Sequence, residues 1–349
     1  MNATHHTRIV ALDGLRAVSI LLVLLSHAWL GHIVPGGLGV TIFFFISGFI
    51  ITRLMITEWD EAGRISIKKF YLRRVFRLMP ALVVFVMISL CVMQRAGTQW
   101  TWIELASVFF YFANYFGIFI GFSDSLLPSP LSITWSLAVE EHFYMIFPFV
   151  FLGLISVPKR FLTVIFSLVL IVLAWRVYLV YGVGLEHLVH YRIYKATDTR
   201  VDSIMYGTGF AILLARYPRA IALLQRRETL VFGVMAMLYS LISRDENFRE
   251  SYRYSLQGIA LACMFSYLVL KDTFASRFLS LGLLNYLGKI SYSLYLYQWL
   301  VFAIITAWIP ALSLSLRITI MIGVSIVLAD LSYRFVERPC LNFGRKFLN

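Results

Sequence analysis

The chain has 349 residues, 60% of them hydrophobic and only 14% charged, with a mean hydropathy of +0.80. Those values exclude an ordinary soluble domain and point to a polytopic membrane protein in contact with lipid along its length. The net charge of +13 falls in short loops between apolar runs, so it is a topology signal and implies no nucleic-acid partner.

Hydropathy gives eleven candidate spans, at roughly 10–31, 37–57, 75–94, 102–122, 132–157, 161–181, 202–216, 229–243, 254–270, 283–309 and 312–333. One crossing takes about 20 residues at ~1.5 Å each. The first run carries Asp13 and Arg16 and lacks a cleavage site, so it reads as a span and not as a removable leader. The loop 57–74 is the most basic, with Arg64, Lys68, Lys69, Arg73 and Arg74, and Arg77 just beyond it, which places it and the N-terminus in the cytoplasm. If all eleven runs crossed, Lys159 and Arg160 would fall outside and every later loop would be inverted. Leaving 102–122 re-entrant or interfacial restores the pattern, and its Glu104, Asn114 and many aromatics suit that position. The expected fold is all-α: about ten transmembrane helices plus one re-entrant or interfacial segment, both termini cytoplasmic, in a single membrane domain over 1–349. Cys91, Cys263 and Cys340 form neither a disulfide framework nor a zinc pattern, and no metal is expected.

Ionisable residues inside the spans carry the functional signal, because a charge at membrane depth is costly. Arg16 and His27 lie eleven residues apart in the first span, about three turns and ~16 Å along one face. They are either functional groups or a buried polar pair that joins helices. In YLRRVFRLMP, Arg73 and Arg77 share a helix face with Arg74 beside them. Guanidinium forks bind phosphate bidentately, so this cytoplasmic mouth suits a phosphorylated cofactor; the same residues also serve as a topology anchor touching anionic lipid. GVTIFFFISGF places Ser47 and Gly48 in an apolar run, where the glycine allows close packing or a helix break. TWSLAVEEHFY, from Thr134 through Trp135, sets Glu140, Glu141 and His142 in a span that opens outside, and two adjacent carboxylates cannot both face lipid. TDTRVD puts Asp198 and Asp202 four apart around Arg200, as an acceptor site or a structural ion-pair knot. SYSLYLYQ brings hydroxyls, tyrosines and the Gln298 amide to a later span.

From about Arg8 to about Pro339 the chain resembles the acyltransferase-3 family of integral membrane O-acyltransferases. The resemblance rests on seven motifs in order: LDGLRA with the Arg16–His27 spacing, FFFISGF, RRVFRLMP, TWSLAVEEHFY, RVDSIMYG, GKISYSLYLYQ and SYRFVERP. It implies a multi-pass enzyme of the inner (plasma) membrane. Such an enzyme moves an acyl group, usually acetyl, from cytoplasmic acyl-CoA to a hydroxyl of a glycan or glycolipid such as O-antigen or exopolysaccharide. Transfer to a macrolide or lipo-oligosaccharide is the alternative acceptor reading. Many relatives have histidine where this chain has Gln298, and the absence of an appended hydrolase-like domain resembles the stand-alone type.

Acyl transfer from a thioester needs a base, a phosphate site and a donor for the developing oxyanion. His27 is the natural base, with Glu140 or Glu141 orienting it or taking the proton onward. Arg73, Arg74 and Arg77 would hold the acetyl-CoA phosphates, and Arg16 would sit deeper, polarising the thioester carbonyl or organising the pocket. Asp202, Arg200, Trp135 and Ser47 are the candidate acceptor contacts. No serine or cysteine has a triad-like setting, which favours direct transfer. The rival class is a proton-coupled transporter, since intramembrane His, Glu, Asp and Arg also mark ion pathways. The absence of internal repeat symmetry and the single dense arginine mouth count against it.

Overall fold

The structure is a computed structural model and describes residues 9–124 and 127–348, so that Arg8 lies outside the described residues. All regular elements among them are helical. Seven stretches are long and apolar enough to cross a bilayer: Val10–Leu30, Gly36–Ala62, Ile67–Arg95, Pro130–Leu154, Pro158–Val183, Arg253–Leu270 and Leu314–Leu348. An eighth candidate is the pair Gly282–Lys289 and Ser291–Trp308, interrupted at Ile290. The remaining expected runs are also helical but less suited to crossing. Thr197–Arg216 carries Asp198, Arg200 and Asp202, and Arg227–Ile242 has 16 residues against the roughly 20 of a full span.

Two expectations are corrected in detail. The 102–122 run is two short helices, Trp102–Phe109 and Ala113–Phe119, separated at Tyr111, whose φ is 58°. Neither piece is long enough to cross. Trp102 and Phe110 are exposed while Glu104, Ser107 and Asn114 are fully buried, so the polar groups that suggested an interfacial position are turned inward. The basic loop expected at 57–74 shrinks to 63–66, because both flanking helices outrun their apolar stretches. Gly63 turns the chain at φ 64°, and Ser66 Oγ caps the next helix by accepting the Lys69 N–H at 3.3 Å.

By packing, the described chain divides into two units. The first comprises the residues up to Ser19, Leu38–Ile65 and Val139–Gly288; the second comprises Ile20–Gly37, Ser66–Ala138 and the chain from Lys289 onward.

In the first unit, Gly36–Ala62 and Thr197–Arg216 approach backbone to backbone. A Cβ on Gly48 would lie 2.0 Å from the Ile204 carbonyl oxygen, and one on Gly207 would lie 1.9 Å from that of Phe45. Lipid supplies no hydrophobic drive for helix association, so close van der Waals contact through small residues must supply it. Phe45, Phe49, Phe210 and Phe265 fill the space beside this crossing, with Phe49 and Phe265 centroids 4.7 Å apart.

In the second unit, Ser291–Trp308 is the central helix, buried along most of its length. Its tyrosines satisfy distant backbone: Tyr292 OH donates to Leu78 O at 3.1 Å and Tyr295 OH to Ile133 O at 3.1 Å. Ser136 Oγ donates to the Tyr295 hydroxyl at 2.7 Å, which ties the start of Trp135–Leu154 to the same helix. The Arg338–Leu348 helix lies against the Ile67–Arg95 helix, with Phe343 and Phe347 edge-on to Phe76.

The glycine crossing gives a direct test. Gly48→Ala and Gly207→Ala each force a methyl into a carbonyl oxygen and should cost at least the ~1–3 kcal/mol of overpacking, lowering melting temperature and folded yield in detergent. Gly323→Ala, which meets nothing within 4 Å, should leave both unchanged.

Candidate active site

The first span ends in an irregular turn. Within Ser26–Leu30, Ala28 (φ −76°, ψ 39°) and Trp29 (φ 62°, ψ 11°) leave helical geometry. A non-glycine residue at positive φ costs on the order of 1–3 kcal/mol and persists only where its surroundings hold it. Here Trp29 packs on Phe302 at 5.2 Å, and the Arg317 guanidinium lies over its ring at 4.8 Å. His27 is set in this turn with Nδ1 2.9 Å from Gln298 Oε1.

The Gln298 amide decides the imidazole tautomer. Its Nε2 donates to Tyr295 O at 3.3 Å, which leaves Oε1 to accept from the ring. His27 Nδ1 therefore carries the proton, and the lone pair of the neutral ring lies on Nε2, the form a general base requires. The group that orients Nδ1 is thus Gln298, where sequence reasoning had placed a carboxylate. An amide inside an apolar span was the available signal.

Glu140 is engaged within the first unit. Its Oε1 accepts the Ser47 hydroxyl at 2.8 Å, and Ser47 Oγ lies 2.5 Å from Tyr144 OH. Gly48 thus has a second consequence, since the close helix crossing fixes the neighbouring Ser47. Glu141 is partly buried on the same helix, and His142 Nδ1 lies 2.7 Å from Thr197 Oγ1. Arg16 is partly buried within Val10–Leu25.

The TDTRVD segment forms an ion-pair knot, but not around Arg200. Asp202 pairs with Arg176 at 2.7 Å, both side chains fully buried. Asp198 pairs with Arg192 at 2.5 Å and accepts the Trp175 indole N–H at 2.8 Å. Arg176 lies inside the expected 161–181 run, but sequence reasoning had no nearby partner to attach to it, because Asp202 is 26 residues away. Arg176 also donates to Ser251 O at 2.9 Å, Thr199 O at 2.5 Å and Ser255 Oγ at 2.5 Å. Arg200 is fully buried, donates to Thr41 Oγ1 at 3.2 Å and stacks over Tyr254 at 3.9 Å. Loss of solvent holds the nearby Tyr194 phenol above its ordinary range, with the Arg200 charge pulling the other way. Trp135 is buried in the second unit.

The arginine cluster lies on the first turns of Ile67–Arg95. Arg73 and Arg77 are exposed, while Arg74 is partly buried with its guanidinium 5.6 Å from the Phe70 ring. The N-terminus of a helix already favours anions. Lys68 and Lys69 in the first turn, with the arginines beyond, concentrate positive charge where the helix itself is positive. Such an arrangement is stabilised by a bound anion, and its exposed forks fit a phosphate group.

Comparison with known proteins gives the family. The family model described as the acyltransferase domain of acyltransferase-3 type matches residues 9–334, and the chain belongs to that family. It is therefore a helical, multi-pass membrane protein of acyltransferase lineage. Among curated proteins it is 30% identical to the peptidoglycan O-acetyltransferase OatA of Listeria monocytogenes, with 97% of this chain and 56% of that protein covered. It is also 30% identical to a Staphylococcus aureus (strain COL) protein provisionally named an O-acetyltransferase, with 98% of this chain and 58% of that protein covered. A Bacillus subtilis protein provisionally named peptidoglycan O-acetyltransferase YrhL is 29% identical, with 97% and 56% covered. The chain spans a little more than half the length of these relatives. No solved structure matches it.

The buried ion pair sets an expectation for stability. Arg176→Met leaves the Asp202 carboxylate buried without its charge partner and should cost about 3–5 kcal/mol, seen as a large drop in melting temperature in detergent. An unchanged melting temperature would show that the pair is dispensable.

Proposed function

We propose that this chain is a membrane O-acyltransferase that moves an acyl group, acetyl by the naming of its relatives, from cytoplasmic acyl-CoA to a hydroxyl of a cell-envelope glycan. The observation that carries the reading is His27, held by Gln298 in the tautomer with its Nε2 lone pair available, in a chain that belongs to the acyltransferase-3 family. The relatives' names favour a peptidoglycan-like polysaccharide as acceptor; O-antigen, exopolysaccharide or a glycolipid presents the same chemistry, a sugar hydroxyl.

In this mechanism the acceptor oxygen attacks the thioester carbonyl while His27 Nε2 takes its proton. The carbon–oxygen bond forms, the carbon–sulfur bond breaks, and the proton passes to the departing thiolate. Arg73, Arg74 and Arg77 bind the coenzyme phosphates as bidentate forks. Glu140, which accepts the Ser47 hydroxyl, and Glu141 beside it stay the two candidate carboxylates of the first unit. The enclosed positions of Asp202 and Arg200 support a framing role more than direct contact with the acceptor.

His27→Ala should lower acyl transfer by roughly 10²–10⁴-fold, the worth of a positioned base, while folded protein and acyl-CoA binding stay near parental values. Gln298→Leu should lose part of the same rate by releasing the tautomer. Arg73→Lys and Arg77→Lys keep the charge but lose the fork, so acyl-CoA affinity should fall. Consumption of radiolabelled acetyl-CoA in acceptor-containing membranes measures all of these; a transporter would consume none.

The proposed topology has ten spans with both termini in the cytoplasm, in the plasma (inner) membrane. Cysteines introduced in 182–200 and 244–253 should react with a membrane-impermeant reagent from outside, and those in 218–228 should not. Labelling of 218–228 from outside would overturn it.

A further inference from the structure

Glu104 is a buried ionisable group of the second unit that the reaction above leaves unused. It is fully enclosed on Trp102–Phe109, a segment that carries no residue assigned so far. Burying a carboxylate away from solvent is costly unless each oxygen finds a partner. Its two oxygens accept different hydroxyls, Ser123 Oγ at 3.0 Å and Ser129 Oγ at 3.0 Å. Its own backbone N–H is capped by Thr101 Oγ1 at 3.2 Å, so main chain and side chain are both fixed.

The next link leads toward the base. The Ser129 carbonyl accepts the Trp299 indole N–H at 3.1 Å, and Ser132 Oγ accepts it at 3.0 Å. The Trp299 ring lies 4.7 Å from the His27 imidazole, tilted by 59°, and is backed by Phe302 at 4.7 Å. Two consecutive residues of one helix thus bound the imidazole: Gln298 holds its proton, and Trp299 holds its plane.

We propose that Trp299 and Glu104 are positioning residues for His27: Glu104 locks Ser129, Ser129 locks the Trp299 indole, and the indole face keeps Nε2 pointing in one direction. The inference rests on the reading of His27 as the base. Its physical content is that a small misplacement of a catalytic group is costly, up to about a hundredfold for ~1 Å. A glutamine at 104 retains the size but replaces one accepting oxygen with an NH2 donor, so one of the two serine hydroxyls must turn from donor to acceptor. A phenylalanine at 299 retains a ring against His27 but has no N–H to anchor it.

The test is steady-state acyl transfer by the full chain in membranes with radiolabelled acetyl-CoA, normalised to folded protein. Trp299→Phe and Glu104→Gln should each lower kcat on the order of tenfold or more, leave KM for acetyl-CoA near the parental value and displace the acidic limb of the pH–rate profile. On the residual rate of His27→Ala, the same substitutions should cost nothing further, because the residue they position is gone. Ser132→Ala should give a smaller loss of the same kind. If Glu104→Gln does not fold, the tryptophan and serine variants carry the test. Parental kcat in Trp299→Phe, or equal losses with and without His27, overturns the proposal. Full turnover by His27→Ala alone overturns the base assignment instead, so the two failures are distinguishable.

Discussion

Every charge that enters the apolar interior must find its partners inside the protein, and Arg176 shows what that demands. Water would hydrate a guanidinium from all sides; here four protein acceptors replace it, among them the Asp202 carboxylate, and the Tyr254 ring lies 5.6 Å away. Those acceptors come from Thr197–Arg216, Glu246–Ser251 and Arg253–Phe265, so one side chain from Pro158–Tyr178 fixes three other elements. Removing one partner of such a pair is far more damaging than never having had it, because the stranded charge remains. The arrangement of the first unit follows from satisfying this arginine as much as from packing apolar surface.

The same accounting applies to the motifs. Gly48 has no chemistry of its own; its lack of a Cβ admits the Ile204 carbonyl, and the resulting crossing presents Ser47 to Glu140 and Tyr144. Gln298 reacts with nothing, yet its two amide ends, one on Tyr295 O and one on His27, choose which imidazole nitrogen is free. In both cases the residue beside the chemistry is set by a geometric need and not by reactivity. The strained Trp29 backbone belongs with these: the chain tolerates a left-handed residue there because Phe302 and Arg317 hold its ring.

The residues that sequence reasoning found are those whose cost is visible without a partner. His27, Arg16 and Glu140 stand out because an ionisable group within an apolar run is unfavourable wherever the run packs. The arginines at 73, 74 and 77 stand out because helical spacing alone puts two of them on one face. What escaped was relational. Arg176 and Asp202 are 26 residues apart and Glu104 and Ser129 are 25 apart, and no periodicity joins either pair. The all-helical class was legible from hydropathy, and charge parity singled out 102–122 as the run that does not cross, but not its break at Tyr111. The true length of the loop before Ile67 was not, because a helix runs past its apolar stretch whenever a charged end such as Asp60 finds a partner, here Arg216 at 2.5 Å.

The interrupted segment around Tyr111 bears on how the protein is assembled. A helix of 8 residues followed by one of 7 cannot satisfy its own backbone across hydrocarbon, and neither offers the insertion machinery a run it would release into lipid. Its buried face carries Glu104, whose acceptors are filled only by Ser123 and Ser129 further along the chain. The piece therefore has no stable resting place at the moment it is synthesised. Its own partners, Ser123 and Ser129, follow within 25 residues, whereas the Trp299 indole that joins Ser129 to the imidazole comes 170 residues after that serine, so in chain order the surroundings of His27 are completed late.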